Sequence, residues 1–268
     1  MKNIYKTIGV FFSISILTRI LIIYIPSIEI WVPYFFFLVR ICFIFYTIYL
    51  INYFKINLKN LFENKILVTI ISAVFIYYSI DWVNEAITEK HAIISIPAHV
   101  FFFVRQMNVG IFEELFFRVL VFTIILRKQD NNPEYSHKLL QKPIAKATLW
   151  SSLLFGLVHL INIGFESVPV VLSVCNQVIS AIGIGILFQA ILLRTKNIAF
   201  VALIHGLVDY LGGYNSKMLQ ITTDVSQYGY KEALITFLVI SLANFIILIP
   251  LSMIIATPIL QKQDWKWE

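Results

Sequence analysis

This sequence predicts an all-α polytopic membrane protein of about eight transmembrane helices, with N-terminus and C-terminus on the cytoplasmic side. Composition is the first observation: of 268 residues, 59% are hydrophobic and 13% charged, and mean hydropathy is +0.82. Soluble domains carry about 25% charged residues. The second is the recurrence of apolar runs near the ~20 residues that cross a hydrocarbon core. The third is the placement of basic residues, which alternates with those runs as the positive-inside rule requires.

The runs place spans at about 8–25, 31–54, 66–80, 101–126, 147–163, 168–193, 197–211 and 233–257. Lys2 and Lys6 precede the first run, no small-residue cleavage site follows it and Arg19 interrupts it, so a retained signal-anchor is expected rather than a cleaved leader. With the N-terminus inside, cytoplasmic segments receive Lys2, Lys6, Lys55, Lys59, Lys65, Arg127, Lys128, Lys138, Lys142, Lys146, Arg194, Lys196, Lys262 and Lys266, which is 14 of the 21 basic residues. The opposite side receives Lys90, Lys217 and Lys231 beside Glu29, Asp81, Glu85, Glu89, Glu166, Asp224 and Glu232. Trp31, Tyr34 and Trp82 fall at outer boundaries, and Trp150, Trp265 and Trp267 at inner ones.

The connections are short, so residues 1–268 form a single integral membrane domain. The net charge of +6 reads as basic cytoplasmic loops, with no nucleic-acid partner expected. The excess of Ile, Lys and Asn fits an AT-rich, bacterial genome, and the expected location is the cell membrane. Cys42 and Cys175 lie in apolar runs and read as buried free thiols, without a disulfide framework. No repeat, Walker loop or dinucleotide fingerprint is present. Ala181-x-x-x-Gly185 is a small-residue pair that permits close helix packing.

Against this background, ionisable residues inside the runs stand out, since a charge at the bilayer centre costs at least ~2.5–3.5 kcal/mol. Glu113, Glu114 and Arg118 lie in the fourth run, His159 in the fifth, and His205 and Asp209 in the seventh. Arg19, Arg40 and Arg105 are also embedded; the sequence suggests no role for the first two, and Arg105 reads as interfacial with His99. At ~1.5 Å per residue, Glu113, His159, His205 and Asp209 lie about 20, 18–20, 12 and 18 Å from the cytoplasmic ends of their spans, in one layer within about a turn. Glu114 and Arg118 are spaced i,i+4, acid first, as a structural ion pair. Glu113 is turned about 100° away and its carboxylate points elsewhere. An uncommitted carboxylate, two imidazoles and a second carboxylate suit general acid–base work on water, or one metal ion. The bland alternatives are helix-packing hydrogen bonds for His159 and a simple His205–Asp209 bond.

The motifs Glu113-Glu114-Leu-Phe-Phe-Arg118, Phe155-Gly-Leu-Val-His159 and His205-Gly-Leu-Val-Asp209, in this order, resemble the CPBP (Abi) family of intramembrane proteases. These are relatives of the type II CAAX prenyl endopeptidases and of bacteriocin-processing and immunity proteins. The resemblance covers a core at about 105–211. It implies an intramembrane endopeptidase acting on a peptide or membrane-associated protein. Glu113 would activate water, His159 would hold the same water, Glu114–Arg118 would brace the helix, and His205 with residue 209 would face the oxyanion. The family has been described both as metalloproteases and as glutamate proteases. Asp209 stands where the CAAX-type enzymes have Asn, so it is protonated, bound to His205, or a metal ligand. His159, His205 and Asp209 or Glu113 would form a zinc site of two histidines and one carboxylate. Membrane lipid and a peptide or membrane-protein substrate are the expected partners. The alternative is a non-proteolytic immunity or scaffold protein partnering a sensor kinase or a bacteriocin or pheromone system. A proton-coupled transporter is a third class, disfavoured by the absence of paired broken helices.

Overall fold

The computed structural model describes residues 13, 32–56, 96–130, 143–163, 168–213 and 230–260, and these are almost wholly helical, without a β-strand among them. Helix α1 spans Val32–Tyr53. One continuous helical run follows, made of α2 (Ile96–Glu113), a π-helical segment (Glu114–Val121) and α3 (Phe122–Asp130). Then come α4 (Pro143–Val158) with a 3-10 turn at His159–Asn162, α5 (Val168–Thr195) and α6 (Ile198–Gly213). Last are α7 (Tyr230–Ala243), a π turn (Asn244–Leu248) and α8 (Ile249–Leu260). The expected spans at 8–25 and 66–80 lie outside the described residues.

Among the described residues, three helices are long and apolar enough to cross a membrane: Pro143–Asn162, Val168–Thr195 and Leu234–Ile255. Side chains such as Ile235, Leu238, Val239, Leu242, Ile246 and Ile254 are exposed on the last of these, as they are on a helix that meets acyl chains.

Ring contacts fix the relative directions of the helices. Tyr34 meets Phe101 at 4.6 Å and, further along both helices, Phe43 meets Phe112 at 5.9 Å, so α1 and α2 run parallel. Phe102 reaches Tyr210 at 5.6 Å while Gly110 abuts Ala202 and Gly206, so α6 runs antiparallel to α2. Gly156 faces Val178 and Ile182 while Gly185 faces Ser152 and Phe155, so α4 and α5 are antiparallel. Gly185 and buried Ala181 thus bring α5 close to α4, as the small-residue spacing suggests.

Helix ends show local chemistry. Lys55, with φ 53, takes the left-handed position after α1, and the Ile56 N–H donates to the Ile51 carbonyl at 3.0 Å, closing the helix in the Schellman manner. The Arg127 guanidinium donates to the carbonyls of Phe54 (2.6 Å) and Lys55 (3.3 Å), tying the end of α1 to α3. Lys196, φ 49, ends α5 in the same left-handed way, and Asn197 starts α6 by accepting the Phe200 N–H at 3.0 Å. The core forms around the π segment: Val119, Leu120, Val121 and Phe122 pack with Leu192, Phe200 and Val201. Cys175 is half-buried and Cys42 is exposed, both as free thiols. Cys42 therefore corrects the expectation of burial, because it lies on the outward face of α1.

Closest approach falls beside the charged residues. A Cβ on Gly110 would stand 2.6 Å from the Ala202 oxygen and 2.7 Å from the Gly206 nitrogen, both rigid backbone atoms of α6. Gly110→Ala should therefore push α2 from α6 and cost about 1–3 kcal/mol, the usual range for overpacking. A thermal melt in detergent reads this directly; an unchanged midpoint would show that the two backbones are not in contact.

Candidate active site

The site is built where α2 passes into the π segment. In a π-helix the carbonyl ladder shifts from i−4 to i−5, and such segments often mark functional sites. The Phe122 N–H donates to the Phe117 carbonyl, five residues back, and Ser151 Oγ from α4 donates to that same carbonyl at 2.7 Å. Sequence reasoning misses Ser151, since a serine in an apolar helix carries no signal of its own.

Glu114 and Arg118 are both fully buried, with Arg118 Nε 3.3 Å from Glu114 Oε2. The guanidinium lies over the Phe155 ring, 4.3 Å from its centroid, a favourable cation–π position in a desolvated setting. Glu114 does more than brace the helix. Its other oxygen, Oε1, accepts from His205 Nδ1 at 2.7 Å. A single buried carboxylate thus joins the ion pair on one helical run to the imidazole on α6.

The opposite edge of His205 faces the remaining carboxylates. Its Nε2 is 3.4 Å from Glu113 Oε2 and 3.7 Å from Asp209 Oδ2. An imidazole with carboxylate oxygens at both nitrogens is placed to donate from both, as the imidazolium does. Phe155 and Phe188 wall the ring, with centroids at 5.8 and 5.2 Å. The His205 side chain is 6% exposed, that of Glu113 19% and that of Asp209 32%, so the polar edge opens past Glu113 and Asp209 while the Glu114 edge is sealed.

His159 is set differently. It opens the 3-10 turn after α4, and its Nδ1 lies 3.0 Å from the Phe155 carbonyl. A carbonyl can only accept, so Nδ1 carries the hydrogen, and in the tautomer this bond selects the lone pair is at Nε2. The ring meets the Phe155 ring at 5.1 Å and lies within electrostatic range of Asp209. Among the described residues no hydrogen bond or ion pair joins His159 to Glu113, His205 or Asp209.

A zinc ion would require three of these donors to converge at about 2.0–2.2 Å. Among the described residues no three His, Cys, Asp or Glu side chains are arranged to do so. As placed, the donor set does not fit the ion.

Arg40, for which the sequence suggests no role, comes from α1 to within electrostatic range of Glu113 and Asp209. Arg105 lies over the Phe102 ring of its own helix, 5.2 Å from its centroid. The position of Arg19 lies outside the described residues.

With this geometry in place, the chain can be compared with known proteins. Residues 95–211, which hold Glu113, Glu114, Arg118, His159, His205 and Asp209, match the family model of Rce1-like type II CAAX prenyl endopeptidases. The match agrees with the CPBP (Abi) family that the three motifs resemble. No curated protein and no solved structure matches the chain.

Arg118→Ala should leave Glu114 as a buried carboxylate deprived of its guanidinium, at about 3–5 kcal/mol. Quantitative immunoblotting of membranes should show strong loss of the variant. Glu114→Gln/Arg118→Gln should recover part of the protein level, whereas equal levels of wild type and Arg118→Ala would remove the structural role of the pair.

Proposed function

We propose that this protein is an intramembrane endopeptidase in which Glu113 activates the water that cleaves a peptide or membrane-associated protein substrate. The observation that carries the reading is the convergence of Glu113 and Asp209 on His205 Nε2, with Glu114 holding Nδ1.

The chemistry follows from donor and acceptor roles. Glu113, partly open, takes a proton from a water as the water oxygen attacks the scissile carbonyl carbon. His205 faces the growing oxyanion with its Nε2–H, and its orientation is fixed beforehand by the short bond to Glu114. His159 Nε2, with its lone pair free, is suited to accept a hydrogen bond from the same water. When the tetrahedral intermediate collapses, the C–N bond breaks and the protonated Glu113 returns its proton to the leaving amine. Asp209, at the same His205 Nε2 as Glu113, adds a second negative charge there. The sealed aromatic wall of Phe155 and Phe188 keeps bulk water from the Glu114 side, which strengthens these interactions.

Glu113→Gln and His205→Ala should each lower cleavage by about 10²–10⁴-fold, the range for a positioned acid–base group, while membrane levels of Glu113→Gln stay near wild type. The substrate can be found by mapping new N-termini in host membranes that express wild type and not Glu113→Gln. Their persistence in Glu113→Gln would leave the non-proteolytic scaffold as the better reading. On the residue-only chemistry, Asp209→Asn should retain cleavage and chelators should leave it unchanged. Reversible loss on chelation, restored by zinc, would transfer water activation to a metal.

The membrane topology belongs to the same proposal: an eight-span chain with both termini inside. The parallel α1 and α2, and the antiparallel pairs α2–α6 and α4–α5, are compatible with that order. Single cysteines placed at 60, 135 and 265 in a Cys42→Ser/Cys175→Ser background should label from the cytoplasmic side, and those at 87 and 222 from outside. External labelling at 135 would invert the orientation.

A further inference from the structure

The charges around His205 do not balance within the family-matched segment. Three carboxylates, Glu113, Glu114 and Asp209, surround an imidazole that can carry one positive charge, and Arg118 supplies a second. One negative charge is left over in a region where an uncompensated charge costs several kcal/mol. Arg105 lies over Phe102 on its own helix, within electrostatic range of Arg40 but not among the charges that act on His205 or Asp209, and His159 Nδ1 is bonded to a backbone carbonyl. The described part of α5 contributes Phe188 to the His205 wall and no charged side chain.

The missing cation is on α1. Phe37 touches Phe101 at 5.8 Å and Phe43 touches Phe112 at 5.9 Å, so the stripe of α1 at 37, 40 and 43 faces α2. Arg40 lies on that stripe one turn before Phe43, about 4.5 Å along the axis, between the levels of Asp209 and Glu113. Both carboxylates are within its electrostatic range. Among the described residues Arg40 makes no hydrogen bond or ion pair of its own, and it is half-buried within an otherwise apolar helix. An arginine held there needs a negative field, and these two carboxylates supply it.

We infer that Arg40 is the counter-cation of the Glu113–Asp209 pair and a positioning residue of the active site, contributed by a helix outside the matched segment. It completes charge balance at three carboxylates, Arg118, Arg40 and a protonated His205. It also accounts for a carboxylate at 209, because Asp209 and Arg40 together add no net charge to the site. Removing Arg40 alone leaves Glu113 and Asp209 beside the same His205 Nε2 without their counter-cation, and their mutual repulsion displaces Glu113 from its place. Removing the charge of Asp209 together with Arg40 restores the balance.

The inference rests on the proteolytic reading for its catalytic consequence, but its charge pairing is measurable without a substrate. Arg40→Gln, Asp209→Asn and the double variant, with Arg40→Lys as the charge-keeping control, are melted in detergent micelles. They are also assayed by formation rate of the Glu113-dependent new N-termini in host membranes. Arg40→Gln should lower the melting midpoint and slow cleavage on the order of tenfold or more, the size of coupling between interacting charges. Arg40→Lys should stay near wild type, and Arg40→Gln/Asp209→Asn should regain most of both losses. Additive losses in the double variant, or an unaffected Arg40→Gln, would overturn the pairing. If the pairing holds in the melts while no Glu113-dependent new N-terminus forms, the charge unit stands and the proteolytic reading fails.

Discussion

The short bond between Glu114 Oε1 and His205 Nδ1 is the constraint on which the rest of the site depends. It lies in a sealed interior, so neither group can exchange its partner for water. Through its second oxygen Glu114 engages Arg118, and the guanidinium in turn lies on Phe155. α4, the π segment and α6 are therefore linked by one carboxylate. The same bond decides where His205 Nε2 points, and hence which carboxylates it meets.

Backbone proximity makes this possible. His205 can reach Glu114 because Gly110 and Gly206 let the backbones of α2 and α6 approach closely, with Met107 packed onto Gly206. At the start of the π segment consecutive glutamates, Glu113 and Glu114, address the two nitrogens of one ring. Ser151 satisfies the carbonyl at the centre of that segment, which fastens α4 at the same level. Packing and the geometry of the candidate site are thus consequences of the same few residues.

Much of this was legible in the residues. Helical class followed from composition, and the Glu114–Arg118 pair from spacing and from the cost of a bare arginine in lipid. The shared level of Glu113, His205 and Asp209 followed from counting turns. The double role of Glu114 was not legible: a 100° turn per residue assigns adjacent glutamates to different partners, and it does not foresee one imidazole lying between them. A π segment has no residue signature, because it is a shift in hydrogen-bond register. The glycine contact was hidden as well, since Gly110 and Gly206 are isolated on separate helices, whereas Ala181 and Gly185 show their spacing within one. Arg40 offered only a signal of need, a lone cation in an apolar helix, and its partners became visible only with α1 packed against α2.

The central claim is that Glu114 acts through His205, and a double-mutant cycle on these two residues tests it most directly. Cleavage rates of wild type, Glu114→Gln, His205→Ala and the combined variant would be compared at equal membrane levels. If Glu114 serves to orient His205, the second substitution should add little once the first is made, as for groups that function as a unit. Fully additive losses would contradict the account, since they would mean that the two residues contribute to cleavage independently.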